Sequence, residues 1–326
     1  MERNVQMIKR ITACLLAVLV FFYSVPVPVS AAESYNSHFE SSEEKMLDRY
    51  YGTSLDGLGE HAAILSPDAD DTYEADVDSA LLIDASNNEV LASYHAFDRV
   101  YPASTTKVLT ALITLEQCQM TEEVVIKNDI TFDESGVVAV GFKKGDKVKV
   151  EGLLNALLVE SANDAAVALA EHIAGSTSAF AKMMNQRAKE LGATHCNFVT
   201  TNGLHNKNHY VTAYDMYLIF KEAIKYDAFL NIVKKANDTL EYETASGVPY
   251  NIPMETSNLY ITGNYALPND IYMIGGKTGT TSQAGSCLVI LTENSEGEQY
   301  ISLVFHGATK DILYNTMTDL LEKTHK

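Results

Sequence analysis

The hydrophobic period of this chain changes twice along its length, and that limits the folds open to it. Ala80-Leu81-Leu82-Ile83, the turn-forming Ser86-Asn87-Asn88 and the segment from Glu89 to Tyr94 read as a β-hairpin. From Ser104 the spacing becomes helical. Leu109, Leu112 and Ile113 recur at i, i+3 and i+4, and Pro102 sits just before the start, where a proline is tolerated. Helical stretches follow over about 151–159, 164–174, 179–191 and 212–224, the second and third ended by Gly175 and Gly192. After Tyr272 the alternation returns, with strands over about 275–281, 286–293 and 299–305, a tight turn at Asn294-Ser295-Glu296-Gly297 and a closing helix over about 310–323. Strands at both ends with helices between predict an α/β (α+β) fold. One antiparallel sheet is built from both chain ends and flanked by helices, with a helical subdomain beside it and a site in the cleft between the two.

The first 31 residues stand outside that pattern. Arg3, Lys9 and Arg10 precede an apolar run from Ile11 to Tyr23, and Val29-Ser30-Ala31-Ala32 follows, the layout of a secretory signal peptide cleaved near Ala31 or Ala32. An uncleaved membrane anchor is the competing reading, but Pro26 and Pro28 interrupt the apolar run. The chain is therefore expected to be exported. Residues 32–74 read as an acidic leader, with a short helix expected around Glu43 to Tyr51; thirteen acidic side chains lie between 33 and 78 against Lys45 and Arg49. Residues 75–326 form the expected catalytic body.

The net charge is −19, and −21 once residues 1–31 are removed, with 21 basic against 42 acidic side chains. Nothing of that balance resembles the basic footprint that nucleic-acid binding needs. Cys118, Cys196 and Cys287 remain after export, an odd number too small for a disulfide-stapled scaffold, so buried apolar thiols are expected.

Ser104-Thr105-Thr106-Lys107 places a hydroxyl and an amine three residues apart on one helical face, within reach of a nucleophile–base contact. That spacing alone is weak, because Ser42-Glu43-Glu44-Lys45 repeats it in the acidic leader. The company of the first copy matters more. Ser161-Ala162-Asn163 falls at the junction of two helices, and Lys277-Thr278-Gly279-Thr280 falls on what reads as the first strand after the helices, where Gly279 is expected to leave room for a substrate backbone. Ser-x-x-Lys, Ser-x-Asn and Lys-Thr-Gly in that order are the signature of the penicillin-recognising acyl-transfer enzymes. Competing motifs fail. Gly276-Lys277-Thr278 mimics the end of a phosphate-binding loop, but Ile271 stands where that loop needs glycine, and His205 and His209 lie in a turn-rich stretch better read as a structural loop than a zinc pair.

Over about residues 75–326 the chain resembles the D-alanyl-D-alanine carboxypeptidases, the low-molecular-mass penicillin-binding proteins. Beyond the three motifs, Tyr101-Pro102-Ala103, Glu160, Asp164-Ala165-Ala166, Gly203-Leu204, His209-Tyr210-Val211-Thr212 and Ala284-Gly285 all look like that family's own segments. The resemblance implies a β-lactamase/transpeptidase-like fold and a peptidoglycan stem peptide ending in D-Ala-D-Ala as substrate. Ser104 would be the nucleophile and Lys107 its base, Ser161 would pass a proton to the leaving nitrogen, and Asn163 would hold Lys107 and the substrate amide. Lys277, Thr278, Gly279 and Thr280 would bind the substrate, Lys277 and Thr278 receiving its carboxylate, and the backbone N–H groups of Ser104 and Thr280 would form the oxyanion hole. β-Lactams would be covalent inhibitors, with no metal or organic cofactor.

Three departures stand out. Ala162 replaces the aspartate usual in class A β-lactamases, and no counterpart of their deacylating glutamate loop is visible; a β-lactamase and a non-catalytic peptidoglycan-binding protein stay open as alternatives. Many relatives carry an arginine near the end of the last strand, where this chain offers Lys310. The sequence also lacks the β-rich second domain and C-terminal amphipathic anchor of many relatives, so membrane attachment by that route is not expected.

Overall fold

The computed structural model of the chain describes residues 72–133 and 136–324. The signal segment, the leader helix expected at 43–51 and the Ser42 to Lys45 motif lie outside the described residues.

Strand β1 (Ser79–Asp84) is buried along its whole length. Its two faces feed different cores, as the two-residue alternation requires. Leu81 and Ile83 join Val289, Leu291, Ile301, Leu303 and Phe305 in a large core shared with the helices, while Ala80 and Leu82 join Leu288, Ile290 and Val304 in a smaller one. Strand β2 (Glu89–Tyr94) completes the expected hairpin.

A single 3-10 turn (Ala103–Thr106) leads into helix α1 (Lys107–Gln117). Two short strands follow, β3 (Glu123–Val125) and β4 (Lys147–Lys149), then α2 (Val150–Asn155), which loosens into a π turn over Ala156–Glu160. Helices α3 (Asn163–Ala174), α4 (Thr177–Glu190), α5 (Ala213–Ala223) and α6 (Asp227–Val233) complete the helical region. Strands β5 (Asn237–Glu243) and β6 (Pro249–Glu255) precede β7 (Ile271–Thr281), β8 (Gly285–Asn294), β9 (Gln299–Gly307) and α7 (Lys310–Leu321).

The main sheet runs β2-β1-β9-β8-β7, all antiparallel, so both ends of the body meet where β1 pairs with β9. Helix α7 covers one face through Leu313, Met317, Leu320 and Leu321. Each such buried aliphatic side chain contributes roughly 1.5–3 kcal/mol against exposure. Strand β7 lies at the sheet's edge, open to the helical region.

Three expectations are corrected. A second sheet, β3-β4-β5-β6, stands before β7, so the Lys277 strand is not the first after the helices. Its strands are hard to read because β5 buries only Leu240 and β6 only Met254. Strand β7 also begins at Ile271 rather than near Gly275, with a register shift between Met273 and Gly275. Finally, the described body reaches back into the expected leader: Tyr73 N–H donates to the Ser93 carbonyl at 3.1 Å and Ser93 N–H to Thr72 Oγ1 at 3.1 Å.

Candidate active site

Ser104 sits inside the 3-10 turn, one turn before the α-helical run that Lys107 begins. Ala103, the residue before it, has φ 48°, a left-handed conformation that costs a non-glycine residue on the order of 1–3 kcal/mol. Its surroundings hold it there. The Thr105 N–H and hydroxyl both donate to the Pro102 carbonyl, at 3.2 and 2.7 Å. From the sheet side Gly279 presses against the turn, where a β-carbon would stand 2.8 Å from the Ser104 nitrogen. The glycine therefore makes room for the nucleophile's own turn, a neighbour that sequence reasoning did not name.

Lys107 is fully buried, and its Nζ lies 2.8 Å from Ser104 Oγ, 2.9 Å from Asn163 Oδ1 and 2.8 Å from the Asn202 carbonyl. Burial, reinforced by the nearby Lys277 cation, pushes the amine well below its ordinary range, against a weaker opposing pull from Asp164. Asn163 is oriented from its other end. Its backbone N–H and Nδ2 both donate to the Val138 carbonyl, at 2.9 and 3.0 Å, which leaves Oδ1 facing the amine.

Ser161 adopts a left-handed conformation, φ 65° and ψ 29°, where the π turn ends and before α3 begins, which turns the backbone sharply at the junction expected from sequence. Lys277 is 2% exposed, and burial lowers its amine to about 7; its Nζ donates to the Thr278 carbonyl at 3.0 Å. The Thr278 and Ser257 hydroxyls share a short hydrogen bond.

A cleft of about 200 Å³ joins these elements, lined by Ser104, Ser161, Thr278, Gly279 and Thr280 among others. Lys107, Asn163 and Lys277 stand around it, so the predicted residues converge on one place. Lys310 and Glu160 supply charged groups to the same lining.

Other contributors were not predicted. The Asn202 carbonyl that receives Lys107 is backbone, invisible to residue-type reasoning. His209, read as structural, is 2% exposed and held near pKa 3 by burial, with a smaller effect from His205. Its Nδ1 accepts from the Val199 and Thr200 N–H groups, both at 3.1 Å, so Nε2 carries the proton toward Thr106 Oγ1 at 2.9 Å. Asp164 is equally buried and accepts from the N–H groups of Val140, Gly141 and Phe142 at 3.1, 2.7 and 3.2 Å, fixing the loop that holds Asn163. Among the described residues Cys118, Cys196 and Cys287 are free; Cys287 is buried as expected, but Cys118 and Cys196 are only partly so.

A hydroxyl held against a buried amine, facing the edge strand of an antiparallel sheet, defines a serine acyl-transfer protein with a transpeptidase-like fold. The comparisons narrow the class. The sequence profile of the peptidase S11 family, D-alanyl-D-alanine carboxypeptidase, matches residues 65–309, and the chain belongs to that family. D-alanyl-D-alanine carboxypeptidase DacF of Bacillus subtilis is 29% identical over 249 residues, covering 75% of this chain and 61% of that protein. DacC of Escherichia coli is 30% identical over 290 residues, covering 83% and 69%. This chain thus spans about three fifths to two thirds of those relatives' lengths. Among solved structures, penicillin-binding protein D2 of Listeria monocytogenes in its cefotaxime-bound form superposes with a TM-score of 0.64 at 26% identity, over 78% of this chain and 99% of that one. A mutant Streptomyces K15 DD-transpeptidase gives a TM-score of 0.68 at 23% identity over the same shares, a likeness of fold.

Proposed function

We propose that this protein is a serine-type D-Ala-D-Ala carboxypeptidase that removes the terminal D-Ala from peptidoglycan stem pentapeptides through an acyl-enzyme on Ser104. The observation that carries this is the set of three partners around the Lys107 amine. A neutral amine has two N–H donors and one lone pair. Asn163 Oδ1 and the Asn202 carbonyl can only accept, so they take both donors and leave the lone pair for the Ser104 hydroxyl. Burial keeps the amine in that neutral form.

In this reading Ser104 Oγ attacks the carbonyl of the penultimate D-Ala as Lys107 takes its proton. The tetrahedral oxygen meets the backbone N–H groups of Ser104 and Thr280; one such donor typically contributes about 3 kcal/mol in the transition state. The C–N bond then breaks, and Ser161 relays the proton to the departing D-Ala nitrogen. Water hydrolyses the resulting ester and restores the Ser104 hydroxyl. Substrate docks along β7, whose Lys277 and Thr278 receive its carboxylate, with Lys310 as a further cation in the cleft. Asn163 holds the substrate amide as well as Lys107.

The same serine would be acylated by β-lactams, as the cefotaxime-bound form of the Listeria relative suggests. The work lies outside the cytoplasm if residues 1–31 act as the export signal, with the acidic leader a tether and a catalytic body that takes in Thr72 and Tyr73 as well as 75–326. Among the described residues no helix is long and apolar enough to cross a membrane. Labelled penicillin tests the assignment. The adduct is expected on Ser104 and absent from Ser104→Ala; labelling that persists in that variant overturns it.

A further inference from the structure

At the opposite ends of the two helices that bring Lys107 and Asn163 together lies a second group of chemically capable side chains. Cys118 follows directly on α1, and His172 sits in the last turn of α3. Glu122 stands between them on the loop before β3. One ligand atom from each of the three lies within 4.8 Å of the other two, and His172 Nε2 is 2.7 Å from Glu122 Oε1.

We propose that Cys118, Glu122 and His172 form a zinc site that clamps the C-terminal ends of α1 and α3. A tetrahedral zinc with these donors spaces its ligand atoms by about 3.3–3.6 Å, so the His172–Glu122 pair opens from 2.7 Å and the wider separations close, each by about 1 Å of side-chain adjustment or less. The backbone is already fixed for it. Cys118 N–H donates to the Thr114 carbonyl at 2.9 Å, and Glu122 is tied on both sides, its N–H donating to the Gln119 carbonyl at 3.0 Å and its own carbonyl receiving Val150 N–H at 2.9 Å. The donor set selects the metal: thiolate and imidazole favour zinc over calcium or magnesium, which take oxygen.

A His–Glu contact alone is an ordinary ion pair, and with side chains 23% and 41% exposed it contributes little to stability. The thiol within the same radius, on the same connection between α1 and β3 as Glu122, is what makes the group a ligand set. Binding replaces the His172–Glu122 hydrogen bond with three metal bonds: the thiol proton passes to solvent, and the proton that His172 Nε2 shares with Glu122 leaves that nitrogen, to Nδ1 or to solvent, freeing its lone pair for the metal. The fourth position opens into the hollow lined by Glu116, Gln117 and Gln119, which admits water. The clamp works at a distance from Ser104, so it does not rest on the carboxypeptidase reading.

The test uses the full chain under a non-chelating reductant, dialysed against Zn²⁺ for stoichiometry and against Co²⁺ for its spectrum. One zinc per chain is expected, with a thiolate-to-cobalt charge-transfer band in the near ultraviolet. Cys118→Ser should remove the band, and both Cys118→Ser and His172→Gln should weaken binding by at least about tenfold, the loss that even outer partners of a metal can cause. Cys196→Ser should leave both readouts unchanged, and zinc should raise the melting temperature of the unaltered chain but not of the two ligand variants. Sub-stoichiometric zinc, or binding of unchanged strength in the ligand variants while their circular dichroism matches the parent, overturns the proposal.

Discussion

Gly203 lies so close to Ala103 that a β-carbon on it would fall 1.8 Å from the Ala103 carbonyl oxygen. Gly203 also has φ 85°, so two independent constraints demand glycine there. The loop that presents the Asn202 carbonyl to Lys107 is thereby pressed onto the strained turn that presents Ser104. Gly203→Ala should displace one against the other. Because a displacement of about 1 Å can cost on the order of 100-fold in rate, the acylation rate with penicillin should fall by about that factor or more. A stopped-flow acylation assay beside a melting curve checks this; an unchanged rate would show that the contact does not position the serine.

Lys277 sets the alkaline side of the pH profile. Burial lowers its amine to about 7 in the free protein, so the cation that the proposed function assigns to the substrate carboxylate is present below that pH and lost above it. kcat/KM for a substrate with a free C-terminal carboxylate should therefore decline above about pH 7. Activity should also fall on the acid side once Lys107 protonates, below its own strongly lowered range. Lys277→Arg, which cannot titrate there, should retain activity at alkaline pH. A profile of identical shape in parent and variant contradicts the assignment of that limb.

Lys310 faces the cleft as a point charge, not the planar fork that binds a carboxylate through two hydrogen bonds. Lys310→Gln should raise KM for the peptide, with little change in kcat, whereas Lys310→Arg should lower KM. Steady-state kinetics with D-Ala-D-Ala peptides reads this directly.

His209 links pH to stability. Its folded pKa is about 3 and its ordinary value 6.5, so between those values the unfolded chain binds the extra proton and stability falls as pH falls. The loss approaches about 1.4 kcal/mol per pH unit well below 6.5 and sums to about 1.6 kcal/mol from pH 6.5 to pH 5. Urea unfolding at those two pH values should show that difference shrinking by about this amount in His209→Gln. An equal pH dependence in both proteins would mean that His209 is not buried in its neutral form.

The legible part of the molecule was the part that repeats. Short continuous apolar runs in β1, β8 and β9 mark strands buried on both faces, and the spacing of Leu109, Leu112 and Ile113 marks α1, so the two-ended sheet and its helical neighbour could be read. Strands β5 and β6 could not, since most of their side chains meet solvent and no hydrophobic pattern survives. Within the site, side chains were legible by type and order, but the Asn202 carbonyl carries no residue signature. Gly279 was noticed for its missing side chain, but its approach to the Ser104 turn was not, because a close approach in three dimensions leaves no trace of its partner in sequence.

The most direct test of the account is the release of D-Ala from a pentapeptide ending in D-Ala-D-Ala, compared between the parent chain and Ser104→Ala. Catalytic release by the parent and none by the variant is the predicted result. Release that continues in Ser104→Ala, or no release by a correctly folded parent, would contradict the acyl-enzyme carboxypeptidase assigned to this site.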